Sequence, residues 1–187
     1  VSIYVKFPVV EGKGVLDNDT KIVIWTTTPW TLPGNTGITI GGEFDYSVVN
    51  TGNEKLVMAT ELVDKVMTIA KITDYETVKT VKGAELEGIL CNHPFAGRTS
   101  KVVIGSEDTV NVELETGTGA VHTAPSYGKE DYLCGLKNGL DIIVCVDGKG
   151  YQTEKAGQFA GLSCDESNEV ITKWLEDNGC LLATQKI

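Results

Sequence analysis

The sequence predicts a β-rich α+β fold, a β-barrel with peripheral helices, and three observations support this prediction. Glycine is abundant, at 21 of 187 residues, and short runs of Val, Ile and Thr recur along the chain. Turn-forming residues interrupt these runs about every 8–12 residues, a spacing typical of barrels and sandwiches. Helical patterns occur between the strands without strict alternation, which disfavours a doubly wound parallel sheet. The length suits a single domain, which we assign to residues 1–187.

Nine segments have the length and the β-branched composition of strands. They are residues 3–7, 21–27, 37–40, 46–50, 55–59, 77–81, 101–104, 119–123 and 142–146. Thr51, Gly52 and Asn53 separate two of these segments and have the composition of a hairpin turn. The chain starts within a strand-like pattern, so we expect it to be part of a longer protein.

Three further segments have the apolar periodicity of helices. They are residues 61–69, 129–137 and 166–178. Thr60 is a candidate N-cap for the first helix, and Gly139 is expected to end the second. Ser163 and Glu166 have the spacing of a capping box before the third helix, which Gly179 is expected to end.

The composition is that of a folded protein, with 41% hydrophobic and 22% charged residues. No apolar run approaches the roughly 20 residues needed to cross a bilayer, so we expect a cytoplasmic protein with no membrane partner. The 26 acidic residues outnumber the 16 basic ones, which gives a net charge of −10. This charge argues against a protein that binds nucleic acid chiefly through phosphate contacts.

The cysteines and histidines do not form a metal-binding pattern. The five cysteines are widely spaced, and no pair has the two-residue spacing of a zinc or redox motif. Only two histidines are present. We therefore predict no metal site and interpret the cysteines as reduced core residues of a cytosolic protein.

Residues 25–35 form the most unusual stretch, Trp-Thr-Thr-Thr-Pro-Trp-Thr-Leu-Pro-Gly-Asn. Pro29 cannot donate a hydrogen bond to a sheet, and it restricts Thr28 to extended conformations. The strand is therefore predicted to end at the threonines and to expose their hydroxyls at a sheet rim, where they can bind a polar substrate or a water. The composition also fits an ordinary strand that ends at a proline turn, although two flanking tryptophans favour a pocket.

A second stretch, residues 115–132, combines glycines with a histidine and an aspartate. Gly117 and Gly119 leave backbone amides open to close approach. His122 ends a short strand, and Asp131 follows nine residues later at the start of a helix. A strand, turn and helix of this kind can bring both side chains to one cavity.

Each of these two residues also has a plainer interpretation. His122 fits a core histidine with satisfied nitrogens, and Asp131 fits a charge that interacts with a helix dipole. No third glycine follows at the dinucleotide-binding spacing, and there is no nucleophile elbow. The residues alone therefore predict a small polar pocket on a β-barrel.

Together the two stretches resemble the editing domain inserted in the class I aminoacyl-tRNA synthetases for isoleucine, valine and leucine. Residues 26–35 are most similar to the isoleucine enzymes, because the others typically have Thr-Thr-Arg-Pro and then an acidic residue where this chain has Thr28 and Trp30. His122 also favours the isoleucine type, since leucine enzymes usually have Met there. The resemblance covers essentially the whole chain. It departs at Tyr127, because many members have Gly-His-Gly where this chain has Ser-Tyr-Gly.

The resemblance implies hydrolysis of valine wrongly attached to the isoleucine tRNA, with isoleucine excluded by size, and it leaves open whether hydrolysis also occurs before transfer to the tRNA. Valine lacks one methylene of isoleucine, and a hydrophobic pocket discriminates such a pair by only about 1–3 kcal/mol. Asp131 would bind the substrate ammonium, and Asn35 would order the threonine segment or contact the substrate. The implied catalytic residues are Thr26, Thr27, Thr28 and Asp131, and the implied substrate-binding residues are Trp30, Asn35, Gly117, Thr118, His122 and Asp131.

The implied partners are the 3′ aminoacyl-adenosine end of the tRNA and the remainder of the synthetase. Editing itself needs no cofactor, and ATP, magnesium or zinc sites would belong to other domains, because the class I signatures His-x-Gly-His and Lys-Met-Ser-Lys-Ser are absent from this sequence. The isolated domain is expected to be a monomer that binds tRNA weakly. Three alternatives remain: the editing domain of a valine or leucine enzyme, a noncatalytic barrel that binds a small ligand, and a structural insert without activity.

Overall fold

The computed structural model describes residues 1–186, in which ten strands form one mixed sheet. The strands are β1 (Ser2–Glu11), β2 (Thr20–Thr26), β3 (Gly37–Ile40), β4 (Asp45–Asn50), β5 (Lys55–Ala59), β6 (Glu76–Lys82), β7 (Leu90–Asn92), β8 (Thr99–Ile104), β9 (Ala120–Thr123) and β10 (Leu181–Gln185). The α-helices are α1 (Val63–Ile69), α2 (Lys129–Asn138) and α3 (Cys164–Asp177). Shorter 3₁₀ segments cover Pro29–Gly34, Thr60–Leu62, Gly83–Leu86 and Glu154–Phe159.

Six of the strands close into a barrel. The sheet order is β10-β1-β7-β8-β3-β9-β2-β5-β4-β6. The barrel consists of the six strands from β1 to β2 in this order, and an additional pairing of β1 with β2 closes it. The long strand β1 makes this closure possible, because it pairs with β2, β7 and β10 along its ten residues. Strand β10 extends the sheet beyond β1, and β5, β4 and β6 extend it beyond β2. The predicted barrel with peripheral helices is confirmed.

The apolar core fills the barrel and continues under α3. Ile3, Val5 and Phe7 share one face of β1 and are fully buried, as are Ile22 and Ile24 on β2. Two buried residues of α3, Ile171 and Leu175, belong to the same cluster as these strands. Helix α3 is therefore part of the main core, and its position is fixed relative to the ends of β1 and β2.

Eight predicted strands are confirmed, with the largest difference at β1, which spans Ser2–Glu11 instead of residues 3–7, but the strand predicted at residues 142–146 is wrong. In that segment only Val146 makes a bridge, to Gln152. The Ile143 carbonyl accepts a hydrogen bond from the Ser126 hydroxyl, and the Cys145 N–H donates to the Tyr127 hydroxyl at 2.7 Å. Side chains therefore bind the backbone groups that a neighbouring strand would otherwise bind.

The sequence analysis also missed β7 and β10. Strand β7 has only three residues, so it carries too short a pattern to recognise. Strand β10 begins with Leu181, Leu182 and Ala183, which favour helices in isolation. Its antiparallel pairing with β1 imposes the extended conformation.

The three predicted helices are confirmed, with one correction at the start of α1. Thr60 does not cap α1, because its hydroxyl bonds the Ser47 hydroxyl at 2.8 Å and a 3₁₀ turn precedes the helix. Gly139 ends α2 in the left-handed conformation, and Ser163 with Glu166 forms the capping box of α3. Within residues 1–186, no helix is long and apolar enough to cross a membrane.

Candidate functional site

The site lies where two neighbouring parallel strands end at the same rim of the barrel. Trp25 of β2 pairs with Val121 of β9, so Thr26 and His122 occupy the next positions along the two strands. Both strands end within one residue of these positions. The 3₁₀ segment Pro29–Gly34 follows β2 directly, and α2 follows β9 after a short turn. The structure thus brings together the two stretches that the sequence singled out.

The threonine hydroxyls form a connected chain at this rim. The Thr26 hydroxyl accepts the Thr28 N–H at 3.1 Å and lies 3.3 Å from the Thr28 hydroxyl. The Thr28 hydroxyl is 3.5 Å from that of Thr31, which donates to the Thr28 carbonyl at 2.9 Å. Thr27 and Thr28 are exposed as predicted. The prediction is wrong for Thr26, which is buried because its hydroxyl turns back onto the following backbone.

His122 is buried, and both of its ring nitrogens have protein partners. Its Nδ1 lies 2.7 Å from the Asn35 side-chain nitrogen, and its Nε2 lies 2.7 Å from the Thr31 hydroxyl. Because an amide nitrogen can only donate, Nδ1 must be the acceptor, and the ring proton lies on Nε2 and points at Thr31. Burial lowers the pKa of His122 to about 4, so the ring is neutral at pH 7. Ring carbons are the part of this side chain left for contact with a ligand.

Asn35 orders the segment from inside the barrel. The residue is fully buried, and its side-chain amide donates to the Gly37 carbonyl at 3.0 Å as well as to His122. Its side-chain oxygen accepts the Ser100 hydroxyl, and its backbone carbonyl accepts the Arg98 guanidinium at 2.9 and 3.1 Å. These bonds fix both the loop and the orientation of the His122 ring.

Asp131 ties the start of α2 to the end of β9. Its Oδ2 accepts the backbone N–H of Ala124 at 3.0 Å. Burial raises the pKa of Asp131 to about 6, against the opposing effect of the Ala124 hydrogen bond. The carboxylate is therefore mostly ionised at pH 7, but it is poorly solvated. A cation beside it would replace the missing solvation, so the position suits an ammonium group.

Gly117 and Thr118 lie before the first residue of β9, at the end of the strand away from Asp131. Gly117 has a φ of +78°, and a β-carbon there would meet the Trp25 ring at 3.2 Å. The Thr118 hydroxyl bonds the backbone of Ala120 at 3.2 Å. Gly117 thus packs against Trp25, whereas the Thr118 carbonyl accepts the backbone N–H of Ala59 in β5 at 2.8 Å, and the threonine and histidine network includes neither residue.

Trp30 stands at the start of the 3₁₀ segment, with its ring half-buried and edge-on to Tyr127 at a centroid distance of 5.1 Å. Tyr127 also packs against Gly34, where a β-carbon would lie only 2.7 Å from the tyrosine ring. The tyrosine that departs from the Gly-His-Gly pattern thus supports the 3₁₀ segment. Burial raises its pKa, so its hydroxyl remains protonated at pH 7.

A cavity of about 540 Å³ opens between the end of β2 and α3. Thr27 and Pro29 line one side, and Asn168 and Thr172 are among the α3 residues on the other. His122 and Asp131 do not line this cavity. We therefore locate the candidate site by its polar network and carboxylate, because the cavity reaches only Thr27 among the predicted catalytic residues.

Several residues of the network were missed by the sequence analysis. Thr31 had a signal, since it lies in the threonine run three positions after Thr28. Arg98 and Ser100 had none, because they act on Asn35 from 63 and 65 residues away. The barrel closure that places β8 beside β3 brings them there.

Comparisons with known proteins identify the family and the fold. The family model described as the leucyl-tRNA synthetase editing domain matches residues 3–176. The isoleucine–tRNA ligase of Caldicellulosiruptor bescii is 50% identical over the whole chain, and that of Halalkalibacterium halodurans is 50% identical over 97% of it. The chain spans about one-fifth of the length of these relatives. A crystal structure described as GlLeuRS-CP1 shares the fold over the full length of both chains, with a TM-score of 0.79 and 13% identity.

Proposed function

The chain belongs to the editing-domain family of the isoleucyl- and leucyl-tRNA synthetases, and from this premise we propose that it hydrolyses valine from wrongly charged isoleucine tRNA. The reaction is the attack of water on the ester that joins the amino acid to the terminal ribose. The water oxygen bonds to the carbonyl carbon, the ester bond to the ribose breaks, and the ribose oxygen takes up a proton. Valine and uncharged tRNA are the products.

The observation that carries this proposal is the poorly solvated carboxylate of Asp131, which follows the end of β9, the strand that neighbours β2 and its row of threonines. A charge-assisted hydrogen bond from the substrate ammonium to Asp131 would anchor the aminoacyl group at the rim. The exposed hydroxyls of Thr27 and Thr28, with the buried hydroxyl of Thr26 holding their backbone, would then orient the water and stabilise the developing oxyanion. Gly117 would contribute to substrate binding only through its packing against Trp25, and Thr118 only through its hydrogen bonds to Ala59 and Ala120.

We assign the exclusion of isoleucine to His122 and Trp30. A neutral ring with both nitrogens bonded cannot rotate to make room for an extra methylene without breaking the bonds to Asn35 and Thr31. Its low pKa and occupied nitrogens also make His122 a poor general base. The role of His122 is therefore steric, and water attack on an activated ester does not require a side-chain nucleophile.

The partners follow from the charge of the domain. With a net charge of −10, the domain would contact only the 3′ aminoacyl-adenosine of the tRNA, while the rest of the synthetase binds the body of the molecule. Valyl-adenylate carries the same ammonium and side chain, so it is a possible second substrate of the same site. ATP, magnesium and zinc have no part in the proposed reaction.

Substitution of Asp131 in the full-length synthetase tests the proposal. We expect Asp131→Ala and Asp131→Asn to abolish hydrolysis of valine-charged tRNA, while the rate of isoleucine attachment stays unchanged. Glu130→Gln is the matched control, because it removes an exposed carboxylate from the adjacent position and should leave hydrolysis intact. Full hydrolysis by both Asp131 variants would refute the role of the carboxylate. A wild-type enzyme that binds valine-charged tRNA but leaves it intact would favour a noncatalytic binding module.

A further inference from the structure

The backbone of Trp30 is held by two side-chain amides from distant parts of the chain. Its N–H donates to Oδ1 of Asn168 at 3.0 Å, and its carbonyl accepts Nε2 of Gln152 at 2.9 Å. These partners lie 138 and 122 residues away in the sequence. Neither belongs to the two stretches that form the candidate site.

The bond from Asn168 replaces a cap that the 3₁₀ segment lacks. The first N–H groups of a helix have no partner within it. Thr28 occupies the N-cap position, but its side chain makes no capping bond, because its hydroxyl is directed at the other threonines. Asn168 supplies this bond from α3, so the position of Trp30 depends on α3 rather than on its own turn.

Helix α3 is well placed to hold Trp30 in one position. A capping box fixes its first turn, and Ser167, Ile171 and Leu175 are fully buried against the barrel. Asn168 lies on the side that faces the 540 Å³ cavity and the end of β2. A displacement of Trp30 would therefore require the loss of this hydrogen bond or a shift of a helix anchored in the core.

Gln152 holds the other backbone group of the same residue. It is only 3% exposed, and its Oε1 has no hydrogen-bond partner among the described residues. Its one side-chain hydrogen bond to the protein is therefore the bond to the Trp30 carbonyl. The two amides thus hold both backbone groups of Trp30, Asn168 at the N–H and Gln152 at the carbonyl.

We propose that Asn168 and Gln152 are positioning residues that set the size limit of the editing pocket by fixing Trp30. This inference rests on the proposed function, in which Trp30 is part of the wall that excludes isoleucine. One methylene changes binding in a hydrophobic pocket by roughly 10–200-fold, and displacements of about 1 Å are enough to change reactivity strongly. A wall residue that shifts by this distance would admit isoleucine.

The test compares hydrolysis of valine-charged and isoleucine-charged tRNA by full-length enzymes. We expect Asn168→Ala and Gln152→Met each to raise kcat/KM for the isoleucine ester by about tenfold, the lower end of the range for one methylene, with a smaller change for the valine ester. Asn168→Asp should restore discrimination, because a carboxylate oxygen can accept the same N–H. General destabilisation would lower both rates together and leave their ratio unchanged.

Thr172→Val is the matched control. Thr172 lies one turn along α3, lines the same cavity and bonds the Asn168 carbonyl, but it makes no hydrogen bond to Trp30. The ratio of the two rates should not change in this variant. An unchanged ratio in Asn168→Ala and Gln152→Met, or an Asn168→Asp variant as unselective as Asn168→Ala, would overturn the inference while the proposed function stands. A wild-type enzyme that leaves valine-charged tRNA intact would overturn both.

Discussion

The raised pKa of Asp131 predicts an acid limb in the pH dependence of valine-ester hydrolysis. The carboxyl has a pKa of about 6 because it is buried, compared with 3.8 for an ordinary aspartate. If only the ionised form binds the substrate ammonium, the active fraction is about ten-elevenths at pH 7 and about one-eleventh at pH 5. We therefore expect kcat/KM to fall about tenfold between pH 7 and pH 5. An ordinary aspartate would lose less than about a tenth of its ionised form over the same range.

The assay measures release of labelled valine from charged tRNA by the full-length enzyme between pH 5 and pH 8.5, after subtraction of spontaneous hydrolysis. Attack by hydroxide also slows as the pH falls. The pH at which the rate profile has its inflexion is therefore a better test than the slope of the profile. Asp131→Asn, in which we expect no hydrolysis above the spontaneous rate, should show no inflexion near pH 6. An inflexion that persists in this variant, or a wild-type rate that changes less than about twofold between pH 7 and pH 5, would refute the reasoning.

Two further predictions concern stability. His122 has a folded-state pKa of about 4 against an ordinary 6.5, so the unfolded chain binds the proton more tightly and stability is lost as the pH falls from 6.5 towards 4. At about 1.4 kcal/mol per pKa unit, the part of this titration that lies between pH 7.5 and pH 4.5 lowers the free energy of unfolding by about 2–3 kcal/mol. His122→Gln should therefore reduce the difference between the urea midpoints measured at these two pH values. An equal difference in both proteins would contradict this prediction. Gly119→Ala should cost about 2–4 kcal/mol in urea unfolding, since a φ of +80° is strained and its β-carbon would lie 2.6 Å from that of Ala59. Gly52→Ala has a φ of +93° and open space, so it should show only the strain, about 1–2 kcal/mol; equal losses would show that packing at Gly119 is unimportant.

The parts of the fold that the sequence predicted are those in which local patterns and tertiary pairing agree. Strands β2 and β3 combine β-branched residues with clear turns, and α3 has both a capping box and a terminal glycine. Residues 142–146 have the same kind of composition as β2, but Ser126 and Tyr127 occupy their backbone groups instead of a neighbouring strand. Composition reports whether a segment can be a strand, whereas the availability of a partner decides whether it is one.

The residues of the candidate site also divide into those that local patterns predict and those that depend on distant partners. The positions of Thr26, His122 and Asp131 in the fold were predictable because their motifs end neighbouring strands or begin the next helix, although Thr26 is buried where exposure was predicted. The residues that fix their geometry were not, because Asn168, Gln152 and Arg98 act over more than 60 residues of sequence. Single polar residues at such separations carry no periodicity or spacing that distinguishes them from ordinary surface residues.

The two interpretations of His122 that the sequence left open prove to be compatible. A histidine with both nitrogens bonded inside the protein is a satisfied core residue, and for that reason it has one ring orientation. Discrimination by size requires such a fixed surface, since a mobile ring would move aside for one methylene at little cost. The same argument applies to Trp30, whose backbone is bonded at both its N–H and its carbonyl. In this site the buried hydrogen bonds that stabilise the fold are also those that would make selection by size possible.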